Sequence, residues 1–225
     1  MTIQPSKFNQ VIAATSDAEI TEIAARHGVL RALPSTLLQQ CNLADVASEE
    51  ILARLGSVPK WVMFVVSGEV RLLRYLPNGN EAVLQRTRHG LIAEASIESP
   101  KYHCHVIAAQ ASRVLRIPLQ PFRDELQNNE VLRRDWMQRL TRELMRLRAQ
   151  SERLNLKSAA DRIAHYIEIE GSNRNITLHG TKKMWAAELG LSHEALYRTL
   201  RQMIESGALE QVGTTTFRLA DSVRA

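Results

Sequence analysis

The stretch TKKMWAAELGLSHEALYRTLRQM, residues 181–203, decides the reading of this chain. It reads as two short helices joined by a tight turn. Met184, Trp185 and Leu189 give the first an apolar face, and Ala186 is small where a second helix must approach. Gly190 follows as a C′ residue, where a left-handed backbone costs little. Ser192 stands as the next N-cap, with Ala195 rather than Glu or Gln three residues on, so a cap is expected without a capping box. Leu196, Thr199, Leu200 and Met203 recur at helical spacing and form the inner face. His193, Glu194, Tyr197 and Arg198 lie outward near the N-terminal end. This is the pattern of a helix-turn-helix, whose second helix presents its first turns to base edges in the major groove. The plainer alternative is an αα-hairpin packed inside a domain.

The residues that follow favour the first reading. Gly207 ends the second helix, a strand begins, Gly213 makes a turn, and TTTFRL (residues 214–219) is a second β-rich run. A helix-turn-helix followed by a small hairpin is a winged helix.

Working outward, the composition excludes several classes. Two cysteines, Cys41 and Cys104, suit neither a disulfide scaffold nor a four-thiolate cluster. No early apolar run resembles a signal peptide, and none approaches the ~18 residues of a membrane span. A cytoplasmic protein without membrane association is expected. A net charge of +5 leans only weakly towards polyanions. Arginines 133, 134, 139, 142, 146, 148 and 153 stand against Asp135, Glu143 and Glu152, and this cluster reads as a solvated helix face.

In chain order, residues 1–16 are polar and weakly patterned. Asp17–Arg26 is a short helix with Ile20, Ile23 and Ala24 on one side, and Pro34-Ser35 starts another within residues 30–40. From Ile51 the texture changes. Residues 51–55, 61–66, 70–75, 82–86, 103–108 and 112–117 are short β-like runs with Gly/Pro punctuation, a β-barrel or jelly roll. After a short helical element at 121–128, a long helix is expected from about Glu130 to Leu156. Met137, Leu140, Leu144, Leu147, Ser151 and Leu154 repeat along it at spacings of three and four. That is a heptad seam, the signature of a coiled-coil dimer. A helix lying on its own barrel is the alternative, and both can hold. Residues 157–170 form a further amphipathic helix, and Ile176–His179 a short strand.

The order of barrel, long helix and winged helix is similar to the cyclic-AMP receptor protein/FNR (Crp/Fnr) family of bacterial transcription regulators. The residues carrying the resemblance are FVVSGEVRL (64–72), the turn PNGNE (77–81), GLIAEA (90–95) and Ser192-His-Glu-x-x-x-Arg198. It implies an α+β chain with a sensor barrel over 1–128, a dimerisation helix over 129–156 and a winged DNA-binding domain over 157–225. It further implies double-stranded DNA as partner, self-association as a homodimer, and RNA polymerase as a further partner. The family reads DNA through a Glu and an Arg four apart, here Glu194 and Arg198. The chemistry fits independently: a carboxylate accepts from the cytosine amino group, and a guanidinium bonds guanine O6 and N7 together. Four-residue spacing puts both on one helical face, where a plain salt bridge is the alternative. His193 tunes an outer base on this reading, Tyr197 meets a phosphate or a thymine methyl, and Lys182, Lys183 and Ser192 are candidate phosphate contacts.

The effector pocket is expected around Glu94, Ala95, Tyr102 and His103. The resemblance puts a ribose-binding Glu at Glu94 and an Arg-Ser phosphate clamp near Tyr102-His103, where neither residue is a bidentate donor. Ala93 replaces the second Gly of the family's G-x-x-G-E. Cyclic AMP is therefore not expected, nor an iron–sulfur cluster or haem; an unidentified small effector remains open. A rival enzymatic reading is a metal-dependent cupin. His103 and His105 on one strand would point both imidazoles to one face, with Glu94 as third ligand.

Overall fold

The computed structural model describes residues 17–220 apart from 78, 80 and 179. The readings of residues 1–16, of Asn78 and Asn80 in the PNGNE turn and of His179 lie outside those residues. The chain divides into two compact units, residues up to 138 and residues from 139 onward.

In the first unit, α1 (Asp17–Arg26) buries Ile20, Ile23 and Ala24 as the pattern requires. The short helix that Pro34-Ser35 starts is the single turn α3 (Ser35–Leu38), and another single turn, α2 (Gly28–Arg31), precedes it. The residue before a proline is biased to extended backbone, and Pro34 starts the second turn instead of continuing the first. Eight strands follow: β1 (Asn42–Val46), β2 (Ile51–Ala53), β3 (Trp61–Ser67), β4 (Val70–Tyr75), β5 (Glu81–Thr87), β6 (Gly90–Ile92), β7 (His105–Ala108) and β8 (Ser112–Pro118). They pair antiparallel in two four-stranded sheets, β1-β8-β3-β6 and β2-β7-β4-β5. Met63, Val65, Leu72, Ile92, Val106 and Val114 pack in the core with Tyr102 and Cys104. β1 and β6 are additions to the sequence reading.

The Ser67-Gly68-Glu69 turn between β3 and β4 shows why this sequence closes the barrel. Gly68 has φ +88°, and a Cβ there would lie 2.2 Å from Ser112 Oγ and 2.5 Å from the Ala111 carbonyl oxygen. Ser112 Oγ accepts from the Glu69 backbone N–H at 3.0 Å. The Glu69 carboxylate takes Arg86 at 3.0 Å and Arg88 at 2.9 Å. These two arginines hold its pKa below the usual carboxylate value, against the opposing effect of burial. Gly68→Ala is expected to cost about 3 kcal/mol or more through strain and backbone overlap. The check is a melting curve, with a midpoint at least roughly 5 °C lower.

Helix α4 (Leu119–Asn128) leads to α5 (Glu130–Asn155), 26 residues long. In the first unit Trp136 of α5 stacks edge-on against Phe122 of α4, ring centroids 5.3 Å apart.

In the second unit, α6 (Ala159–Glu170) is capped by Ser158, whose Oγ accepts from Asp161 N–H at 3.0 Å. Then come β9 (Asn175–Thr177), α7 (Lys182–Glu188), α8 (His193–Glu205), β10 (Leu209–Gln211) and β11 (Thr216–Leu219). The three strands form one sheet of order β10-β11-β9. Its core joins Ile163 and Ile167 of α6, Trp185 and Ala186 of α7, Leu196, Leu200 and Met203 of α8, and Phe217 of β11. This is the winged helix.

The arginine cluster departs from its expectation most at Arg153, and Arg139 is half-buried. Arg153 is buried rather than solvated, because α6 crosses it. The Tyr166 ring lies 4.5 Å from its guanidinium and Glu170 Oε1 accepts from Nη2 at 3.3 Å.

Candidate nucleic-acid interface and barrel pocket

The turn before α8 is built as its sequence dictates. Gly190 adopts φ +64°. Its N–H donates to the Ala187 carbonyl at 3.1 Å, and the Leu191 N–H donates to Ala186 at 2.9 Å. This pair of bonds is a Schellman closure, and it consumes carbonyls that α7 would otherwise leave unpaired. Ser192 Oγ then accepts from the Ala195 N–H at 3.1 Å and starts α8. Leu196, Thr199, Leu200 and Met203 are buried, while Ser192, His193, Glu194, Tyr197 and Arg198 are exposed, as the helical spacing requires. Among the described residues Glu194 and Arg198 make no ion pair with each other. Both charged heads are presented outward. A shallow cleft on this surface is lined by Lys182, His193, Glu194, Tyr197, Arg198 and, from β10, Gln211.

Three candidates cooperate in a way the sequence does not display. Lys182 Nζ sits 5.2 Å from the Tyr197 ring and 5.4 Å from the Phe217 ring. The imidazole of His193 packs on Tyr197 at 4.6 Å between centroids. Lys182 is thus a cation held over two aromatic faces. Lys183 is exposed, and Thr181 caps α7, accepting from Met184 N–H at 3.3 Å.

The seam of α5 is open to solvent. Met137, Leu144 and Leu147 are 57, 47 and 45 % exposed, a large apolar area for one helix face. Ser151 is exposed and Leu140 half-buried. Leu154 is exposed as well, and its Cδ2 lies where a side chain on Gly190 would go. α5 also buries Leu132, Trp136, Ala149 and Arg153, so the helix packs on its own chain while most of the seam stays exposed.

In the barrel, a 3-10 helix, Glu94–Ser96, follows β6. Ala93 precedes it with φ 59°, the left-handed region that a glycine would occupy more cheaply. Glu94 Oε2 accepts from Gln85 Nε2 at 3.3 Å, and Ala95 beside it is exposed. Tyr102 is buried in the barrel core, where burial pushes its hydroxyl up to about 12. That hydroxyl donates to the Trp61 carbonyl at 3.4 Å. His103 Nδ1 lies 3.2 Å from Ser96 Oγ, and the His103 carbonyl accepts from Arg74 Nε at 2.8 Å. Arg123 of α4 is spent on the Ile97 carbonyl at 2.8 Å. The segment's own cation, Lys101, is exposed and supplies a point charge, not a fork. Neither Tyr102 nor His103 presents two parallel donors to one anion.

The pairing of His103 with His105 is corrected by the fold. β7 begins at His105, and His103 sits in the bends before it, so the two residues are not successive same-face positions of one strand. His105 Nδ1 accepts from the Leu55 N–H at 3.4 Å and its ring packs edge-on against Tyr75. Among the described residues, no three His, Cys, Asp or Glu side chains are grouped so as to hold a metal ion. Among them too, no helix is long and apolar enough to cross a membrane.

Residues 44–129 match the cyclic nucleotide-binding domain family. Among solved structures, a mutant form of CooA from Carboxydothermus hydrogenoformans superposes with a TM-score of 0.62 at 18 % identity, covering 83 % of this chain and 86 % of that one. FixK2 from Bradyrhizobium japonicum gives 0.57 at 19 %, covering 80 % and 93 %. DNR from Pseudomonas aeruginosa, a transcriptional regulator, gives 0.51 at 21 %, covering 94 % and 98 %. At such identities the likeness is one of fold. No curated protein matches the sequence.

Proposed function

Starting from a cyclic nucleotide-binding domain over residues 44–129 and the whole-chain fold of the Crp/Fnr transcription regulators, we propose that this protein is a homodimeric, sequence-specific DNA-binding regulator. One observation carries the reading. α8 is capped at Ser192 and presents Glu194 and Arg198, not paired with each other, together on its exposed first turns. A carboxylate and a guanidinium in that arrangement suit a C·G step, and we assign a TGA-like core to each half-site. Lys182, Lys183, Ser192 and Tyr197 supply the phosphate and edge contacts that set register, and His193 the outer base. The seam of Met137, Leu140, Leu144, Leu147 and Ser151 pairs with its copy, with Leu154 at its end. A two-fold dimer then places two α8 helices about 34–36 Å apart, one DNA turn. The protein works in the cytoplasm, with RNA polymerase as a further partner. Selection of full-length protein on random-sequence duplexes tests this. A pseudo-palindrome with arms one turn apart is the expected product, and a pool without any enriched motif counts against the assignment.

The barrel serves as a sensor for a ligand other than a cyclic nucleotide, or as a scaffold without one. A cyclic phosphate placed beside Tyr102 and His103 would be desolvated without a bidentate partner. Cyclic AMP and cyclic GMP at micromolar concentration are expected to give no saturable heat in calorimetry and no change in duplex affinity. Saturable heat near one site per subunit overturns this. A metal-dependent cupin enzyme draws no support from the separate partners of His103 and His105.

A further inference from the structure

Arg162, in the first turns of α6, spends its side chain on backbone carbonyls from two other helices. Nε donates to Leu156 at 3.0 Å and Nη2 to Leu154 at 3.3 Å, where α5 ends. Nη1 donates to Leu189 at 3.2 Å and to Gly190 at 3.3 Å, where α7 ends in the turn before the recognition helix. The last carbonyls of a helix lack intrahelical donors and carry the negative end of its dipole. One guanidinium therefore satisfies two helix ends and is favoured by both. Its planar fork of donors can span them, whereas a lysine ammonium presents three donors from a single point.

The packing around it is equally close. A Cβ on Gly190 would come 2.6 Å from Leu154 Cδ2 and 3.3 Å from Arg162 Nη1, so the turn lies directly on the end of α5. A second strut runs parallel. Arg153 of α5 lies on the Tyr166 ring, and the Tyr166 hydroxyl donates to Glu188 Oε2 of α7 at 2.8 Å.

We propose that Arg162 is a positioning residue for DNA reading: it locks the end of the dimer helix to the helix-turn-helix turn and so sets the separation of the two recognition helices. This rests on the dimeric DNA-reading assignment above. The lock fixes the angle of α8 to the last turns of α5. In a dimer built on α5, that angle determines which half-site spacing both subunits can engage together.

The experiment compares full-length wild type, Arg162→Met, Arg162→Lys and Gly190→Ala. The first readout needs no DNA. Hydrogen–deuterium exchange in Arg162→Met is expected to rise about tenfold or more in amides 186–194, with the barrel strands unchanged. The second uses the selected operator with its native spacer or with one base pair inserted. Wild type is expected to prefer the native spacer, and Arg162→Met to lose about tenfold of that preference while holding a single half-site duplex as wild type does. Arg162→Lys recovers part of both effects, and Gly190→Ala reproduces the loss through strain and overlap. Wild-type exchange in the turn together with a wild-type spacer preference overturns the proposal. So does a uniform rise in exchange over residues 139–220 with equal loss on every duplex, which marks a purely structural arginine. If wild type itself prefers no duplex, the DNA-reading assignment fails, and the exchange readout alone decides whether the lock exists.

Discussion

Leu144→Asp combined with Leu147→Asp is expected to give a folded monomer that no longer holds a two-arm operator at nanomolar concentration. Both leucines are about half exposed on one face of α5, so neither change removes a core contact of the chain. In the dimer, however, four leucine side chains leave the interface and four carboxylates enter it. A fully buried leucine contributes roughly 1.5–3 kcal/mol, and each of these has about half of that left to gain, so the loss is about 3 kcal/mol at the low end, before the cost of placing four carboxylates in the seam. That corresponds to a weakening of dimerisation of at least about two orders of magnitude. Operator affinity falls with it, because the second half-site ceases to be an intramolecular contact. Sedimentation equilibrium and duplex titration read the two effects, and circular dichroism should remain that of wild type. A double variant that stays dimeric places the interface elsewhere.

Arg198→Ala has the next largest expected effect. Its guanidinium is exposed, makes no ion pair with Glu194 and lines the cleft facing away from the core. If it bonds a guanine edge, its loss costs about 1–3 kcal/mol per half-site and relaxes preference at one base pair. Affinity for random duplexes should change much less, since that term comes from phosphate contacts. Equal loss on selected and random duplexes reassigns Arg198 to the backbone. Lys182→Ala gives the contrasting pattern, a loss spread over all sequences with a shallower salt dependence.

Much of this architecture was legible because local chemistry and global fold agree. Gly190, Ser192 and the spacing of Leu196, Leu200 and Met203 each act within one turn of helix, and all point to the same motif. The short strands with their Gly and Pro turns were visible for the same reason. β1 was not, because Asn42 and Asp45 interrupt its alternation, and its register is set by β8, some 70 residues later. His103 lies in the bends before β7, just after a turn where Ser99 Oγ bonds the Lys101 backbone, and strand propensity alone does not register this.

The site was legible in its residues and not in its couplings. Glu194 and Arg198 stood out by type and spacing. That Lys182 lies over Tyr197 and Phe217 requires β11 to return beneath α7, a non-local event. Arg162 looks in sequence like any cation in an amphipathic helix. Its role comes from four carbonyls, two at the end of α5 a few residues earlier and two in the turn after α7, 27 and 28 residues later.

The most direct test of the central claim is a titration of the full-length protein on its selected operator and on the same duplex with both arms scrambled, at one fixed salt concentration. The account predicts two chains per operator and a preference of at least about a thousandfold over the scrambled duplex. One chain per duplex, or affinities within about tenfold of each other, contradicts it.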